Sequence, residues 1–227
     1  APAGARGYHA RPMDNAGLEV DIPAALIAAE PLPERAASRL LYLPAGGDPE
    51  DRWFRELPAL LRPGDLLVVN DTRVVPARLY GRKDSGGRVE LLLERVPDPV
   101  TAPAVAVVQL RASHPPRAGQ RLAFDGDIGA EVIGRQGEFF VLRFDEPVLP
   151  ALERAGHVPL PPYLGRPDVA ADRERYQTVY GVAPGSVAAP TAGLHFDAAV
   201  LDALAARGVA RAAVTHNVGA GTFAPLR

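Results

Sequence analysis

The sequence predicts an α/β protein whose sheet-and-helix part is interrupted by a small inserted β-barrel. Between residues 74 and 150, short runs alternate apolar and polar residues and follow one another with no helix between them. On either side of that stretch, strand-like runs are mixed with segments of helical spacing. The expected organisation is a discontinuous α/β domain over residues 18–73 and 151–227, with a barrel domain at 74–150.

Taken in order, Asp21 and Pro23 suit a helix start, and Ala24 to Glu30 are good helix formers stopped by Pro31 and Pro33. Ser38 to Leu43 reads as a strand and Ala45-Gly46-Gly47 as its turn. Asp48 and Pro49 then open an expected helix, because Trp53, Phe54, Leu57, Leu60 and Leu61 share one face at helical spacing; Trp53 and Phe54 are expected in the core. Leu66 to Val69 reads as a buried strand running into Asn70-Asp71-Thr72-Arg73. That tetrapeptide is either an Asx-type turn or a strand end that projects Asp71 and Arg73 into a cleft, the latter only if the strand is central.

In the barrel stretch, Val74–Gly81 and Arg88–Val96 pair around Asp84-Ser85-Gly86-Gly87, with Val89, Leu91 and Leu93 on one face. Strands over 101–110, 120–124, 128–133 and 138–144 complete it. Pro147 to Ala155 is a short helix ending at Gly156, and Pro159-Leu160-Pro161-Pro162-Tyr163 is an extended return segment. A loop from Gly185 to Phe196 precedes a helix from about Ala198 to Arg207, with Asp197 as N-cap and Gly208 just past its end. A strand from Val209 to Val214 leads into the glycine-rich loop Thr215 to Phe223. Loops placed after strands and before a helix start are where backbone amides meet ligands.

Composition excludes several classes. With 47% hydrophobic and 23% charged residues the chain is globular, and no apolar run approaches the ~18 residues of a membrane span. It is expected to be soluble. There are no cysteines, so disulfides, iron–sulfur clusters and thiolate zinc sites are excluded. A net charge of −2 gives no global attraction to nucleic acid, so RNA binding requires a local basic face. Five histidines without a ligand spacing give no expected metal site, and no phosphate-loop or nucleophile-elbow motif occurs. His195, beside Leu194 and Phe196, is either a general base or a packed structural residue. His216, in the glycine-rich loop, carries the same two readings.

Two motifs go further. Pro190-Thr191-Ala192-Gly193-Leu194-His195-Phe196 and Val218-Gly219-Ala220-Gly221-Thr222-Phe223 closely resemble S-adenosylmethionine:tRNA ribosyltransferase-isomerase, the queuosine-pathway enzyme family. Ser38-Arg39-Leu40-Leu41, Pro63 to Val74, Pro76-Ala77-Arg78-Leu79, Pro159 to Tyr163 and Tyr176 to Tyr180 resemble further family motifs, in family order.

The resemblance implies an α/β domain interrupted by a β-barrel. It also implies transfer and isomerisation of the ribosyl part of S-adenosylmethionine onto 7-aminomethyl-7-deazaguanine in tRNA. Epoxyqueuosine is formed, and adenine and methionine are released. S-adenosylmethionine is then a co-substrate, with no cofactor or metal, tRNA is the partner, and the setting is cytoplasmic without a membrane. The full-length protein is expected to be a monomer.

That chemistry needs a base to remove a proton beside the sulfonium, and His195 and Asp71 are the candidates. Arg73 and Arg78 are candidate contacts for a carboxylate or phosphate. Thr191, Gly193, Gly219, Gly221 and Thr222 are candidate contacts for methionine or ribose. His216 stands one position from the histidine of the family pattern. Family members also continue beyond the position of Arg227, so the chain is expected to be part of a longer protein. A tRNA-binding or S-adenosylmethionine-binding module without catalysis is the alternative reading.

Overall fold

The computed structural model describes residues 22–98 and 100–223; the expected cap Asp21 and the segment after Phe223 lie outside them. At its centre is a closed antiparallel barrel. It is built from β5 (Arg78–Lys83), β6 (Arg88–Arg95), β7 (Val105–Ala112), β8 (Arg121–Phe124), β9 (Ile128–Gln136) and β10 (Phe139–Phe144), in the order β10-β7-β6-β5-β8-β9. The alternation legible in the sequence is what closes it: in β6, Val89, Leu91 and Leu93 are buried while Arg88, Glu90 and Leu92 face outward. The β5–β6 turn requires Gly86 at φ +81°, which a side-chain-bearing residue adopts only with strain.

Helix α2 (Val148–Ala155) buries Val148, Ala151 and Leu152 in the barrel core, so it packs as part of the barrel although it straddles position 150. Val187 and Ala220, one from each candidate loop, join the same core. Each fully buried leucine of this core contributes about 1.5–3 kcal/mol.

The strands outside the barrel form three two-stranded pairs. β1 (Arg39–Tyr42) and β2 (Glu50–Trp53) make an antiparallel hairpin. β3 (Leu66–Asn70) pairs in parallel with β12 (Ala210–Val214), and β4 (Thr72–Val74) in parallel with β11 (Ala183–Ser186). Residues before the barrel thus meet residues after it, as an insertion requires. α4 (Ala198–Ala206) follows the expected caps: Asp197 accepts from Val200 N at 2.9 Å, and Gly208 sits at φ +79°. Phe54, Phe196, Val200, Leu204 and Val209 form its core. α1 (Leu57–Leu60) and α3 (Asp172–Arg175) are single turns.

Four expectations fail. The helix from Asp48 is instead strand β2 followed by a 3-10 turn and the four residues of α1. Pairing with β1, including Arg39 with Asp51 at 2.7 Å, overrides the apolar spacing. Phe54 is buried, but Trp53 is 45% exposed under the Arg55 guanidinium. The helix over Ala24–Glu30 shrinks to a 3-10 turn, Ala24–Leu26, because Ile22, Leu26 and Ile27 stay exposed and no packing offsets nucleation. Finally, β3 exposes Leu66 and Val68 and so is covered on one face only.

Candidate functional site

The two expected loops begin side by side. Val187 N, just after the end of β11, donates to Val218 O at 2.8 Å, four residues beyond the end of β12. Their common base is a buried polar knot. Thr72 Oγ1 lies 2.8 Å from Ser186 Oγ and donates to Asn217 Oδ1 at 2.8 Å, and Val218 N donates to Ser186 Oγ. Thr72 and Ser186 are almost wholly buried, so their hydroxyls need these partners. Gly185 is required here: a Cβ at this position would run into the Asn217 amide. Asn70 completes the base. Its amide donates to His216 O at 2.8 Å, and its oxygen accepts from His216 N and Thr72 N.

Asp71 follows on the same strand end. Its carboxylate accepts from Thr215 Oγ1 at 2.6 Å, while its backbone joins both strand pairs, donating to Val214 O and accepting from Val182 N and Ala183 N. The Asn70–Arg73 segment therefore acts as a turn that caps strand ends. Neither strand beside it is central among the described residues: β3 has β12 as its one partner, and the free edge of β4 is closed by the Gln177 amide, bonded to both Val74 N and Val74 O. Arg73 is exposed on β4, on the side opposite Thr72 and Val74. His216 is exposed too, in a loop beyond β12, and so is Asn217, although its side-chain oxygen reaches the Thr72 hydroxyl.

Gly219 lies against Glu94 of β6, Gly221 and Thr222 are exposed, and Ala220 anchors the turn in the barrel core. Arg78 is on the barrel wall, paired with Glu90 at 3.2 Å, and is not part of either loop.

The first loop makes a 3-10 turn, Thr191–His195, ahead of α4. Gly193 is buried beneath the Tyr180 hydroxyl and the Thr178 methyl, which leave no room for a Cβ; Thr191 is exposed. Arg35 holds the turn in place, donating to the carbonyls of Leu194, Arg175 and Glu174 at 3.0–3.3 Å. Its guanidinium spans the turn and α3.

His195 is half-buried, its ring 5.3 Å from that of Phe54. Burial pushes its pKa below the ordinary value, which favours the neutral ring. Ser38 Oγ lies 2.9 Å from His195 Nδ1 and 3.2 Å from Arg35 O, and its single hydrogen can serve one of the two. With that hydrogen on Arg35 O, Nδ1 donates to Ser38 and Nε2 is the basic nitrogen. A neutral imidazole fixed in this way can take a proton at Nε2.

The structure thus gathers Asp71 with the base of the Gly219 loop, and His195 with Gly193 and Thr191. Among the described residues Asp71 and His195 have no common partner. Two hollows on the surface, one beside α4 lined by Leu67, Leu201 and Arg211, the other beside His157 and Asp168, contain no residue of either loop. Among the described residues, no group of three His, Asp or Glu could hold a metal ion. Sequence reasoning missed Ser38, Arg35, Gln177 and Asn217. All four lie inside or beside the quoted motifs, but their partners are more than a hundred residues away.

A sequence model described as queuosine biosynthesis protein matches residues 17–227. The chain belongs to this family. It is also similar to a crystal structure of an S-adenosylmethionine tRNA ribosyltransferase from Thermotoga maritima, at 30% identity. That match covers 88% of this chain and 57% of the other, with a TM-score of 0.35. This chain therefore spans little more than half the length of that protein.

Proposed function

We propose that the chain carries the part of a tRNA-modifying active centre that transfers and isomerises the ribosyl group of S-adenosylmethionine. The acceptor is 7-aminomethyl-7-deazaguanine in tRNA, the product is epoxyqueuosine, and adenine and methionine leave. A tRNA substrate implies a cytoplasmic setting. In this reading residues 18–73 and 151–227 form the α/β part and 74–150 the barrel, with α2 packed on the barrel across that boundary.

Family membership supports the reaction class. The observation that carries the reading within this chain is the half-buried His195 ring, kept neutral by burial and held at Nδ1 by the Ser38 hydroxyl. His195 Nε2 takes the proton from the carbon beside the sulfonium, whose positive charge acidifies that position. Burial keeps the imidazole neutral and ready to accept. Asp71, bonded to Thr215, is the second candidate base; its carboxylate can instead receive a hydroxyl of the ribose. Gly193, Gly219 and Gly221, with Thr191 and Thr222, offer backbone and hydroxyl groups to the methionine carboxylate and ribose. Arg73, exposed next to Asp71, suits an anionic group.

The test is adenine release from S-adenosylmethionine, with precursor-bearing tRNA, with unmodified tRNA and without RNA. Release that requires the precursor supports the reading. RNA binding with no adenine in any arm contradicts it and leaves a binding module.

A further inference from the structure

The outer wall formed by β5, β6 and β7 has a charge pattern that the barrel's folding does not need. The register sets Arg82 directly opposite Arg88, Tyr80 opposite Glu90, and Glu90 opposite Arg111, with Arg78 one row below. Alternation turns all six outward, since Leu79, Val89, Leu91 and Val108 point into the core. Like charges directly opposite destabilise a sheet, yet Arg82 and Arg88 face each other.

Glu90 is the acid within reach of these arginines: it lies 3.2 Å from Arg78 and 3.8 Å from Arg111. Arg82 donates to the Gly86 carbonyl, and among the described residues Arg88 has no carboxylate within ion-pair distance. Arg111 keeps 88% of its side chain exposed despite its contact with Glu90. The Tyr80 ring is exposed and meets His157 edge-on at 5.1 Å.

The rest of the barrel is different. On its β8–β9–β10 side, Arg121 pairs with Asp145, Arg154 with Glu146, and Glu131 stands in register with both Arg121 and Arg143. Among the described residues the directly opposed arginine pair is particular to this wall, in a chain whose net charge is −2.

This wall leads to the candidate site. β6 runs from Arg88 to Glu94, and the Glu94 carboxylate and carbonyl lie against Gly219. The six residue steps from Arg88 to Glu94 span about 20 Å. We propose that the β5–β6–β7 wall is the docking surface for an RNA stem. Its phosphates lie across Arg82, Arg88 and Arg111, and it delivers the base to be modified toward the Gly219–Thr222 turn. The inference rests on the reading of the chain as acting on tRNA. Stems are recognised through phosphates and shape, and an arginine cluster on a strand wall supplies the former.

The test is fluorescence anisotropy of the 227-residue chain with a labelled tRNA anticodon stem-loop, without S-adenosylmethionine, over a salt series. Three proteins are compared: wild type, Arg82→Ala/Arg88→Ala/Arg111→Ala, and a charge-matched control, Arg117→Ala/Arg135→Ala/Arg143→Ala, with circular dichroism confirming that each is folded. The wall variant is expected to bind about 30-fold or more weakly at moderate salt. Its slope of log affinity against log salt should fall by about 2–3, one per lost phosphate contact. The control should stay within about threefold, with its slope unchanged.

Equal loss in both variants, or no binding by wild type at the lowest salt, overturns the proposal. Displacement by polyglutamate as effective as by unlabelled RNA also overturns it and points to an acidic protein partner. Adenine release is measured separately. Wall-dependent RNA binding without adenine release keeps the docking surface and removes the activity, whereas release unaffected by the wall substitutions does the reverse.

Discussion

The barrel and the elements that carry the candidate site are held together by different physics. In the barrel every strand is paired on both edges, and the interior is a continuous apolar cluster in which Leu79, Leu91, Leu93 and Leu142 are wholly buried. The site elements are pairs of short strands, with Leu66, Val68 and Val214 exposed. What fixes them is polar: Thr72, Ser186, Asn70 and Asn217 at the strand ends, Gln177 on the edge of β4, Arg35 across the 3-10 turn. Apolar burial is non-directional, whereas these hydrogen bonds set positions to within a few tenths of an ångström. A scaffold needs the first and a reactive histidine needs the second.

The difference can be broken at the barrel first. Leu91→Ala leaves a cavity in a core with no slack and should cost about 3–5 kcal/mol, read as a fall in the urea midpoint. A somewhat smaller loss is expected from Asp172→Ala. Asp172 is buried, pairs with Arg166 at 2.7 and 2.9 Å, and accepts from Val169 N. Removing it strands a largely buried guanidinium, at a cost of about 3 kcal/mol by thermal unfolding. The Arg166 guanidinium beside Asp172 holds its carboxyl below the usual range. Its stabilisation is present above the unfolded value and lost as pH falls through the lowered folded value.

Gly185→Ala should cost about 1–3 kcal/mol, because its methyl displaces the Asn217 amide from Thr72. Hydrogen exchange distinguishes this from a global effect: the Val187 and Val218 amides should lose protection while those of β6 keep theirs. Equal loss in both regions would mean that the two parts unfold together.

The smallest effect concerns pH. His195 has a folded pKa lowered by burial, so the unfolded chain binds the extra proton first as pH falls. Its contribution to stability is complete above the unfolded value near 6.5 and declines as pH drops from there toward the folded value. The melting temperature of wild type should therefore fall slightly more than that of His195→Gln between pH 7 and pH 5. The opposite ordering would mean that the ring is charged in the native state.

How much of this was legible in the sequence follows the same division. The hairpin of β5 and β6, the buried face Val89, Leu91 and Leu93, and α4 with its Asp197 and Gly208 caps are local patterns, and they could be read directly. The β2 strand could not, since its apolar residues fit a helix until Arg39–Tyr42 pairs with them. The polar knot was visible only as an oddity, four polar residues between apolar strands. Asn70 meets His216 and Thr72 meets Asn217 across some 145 intervening positions, and no short-range period records such a pairing. His195 was singled out from its motif, but the Ser38 hydroxyl that holds its ring is 157 positions away.

The central claim is that His195 Nε2 accepts the proton that starts ribosyl transfer, and single-turnover adenine release with precursor-bearing tRNA tests it most directly. Wild type and His195→Gln are compared at equal, saturating RNA, with folding checked by circular dichroism. The account predicts release by wild type and a reduction of about 10²-fold or more in His195→Gln with RNA affinity unchanged. Near-equal rates for the two proteins would contradict it, as would the absence of adenine release by wild type.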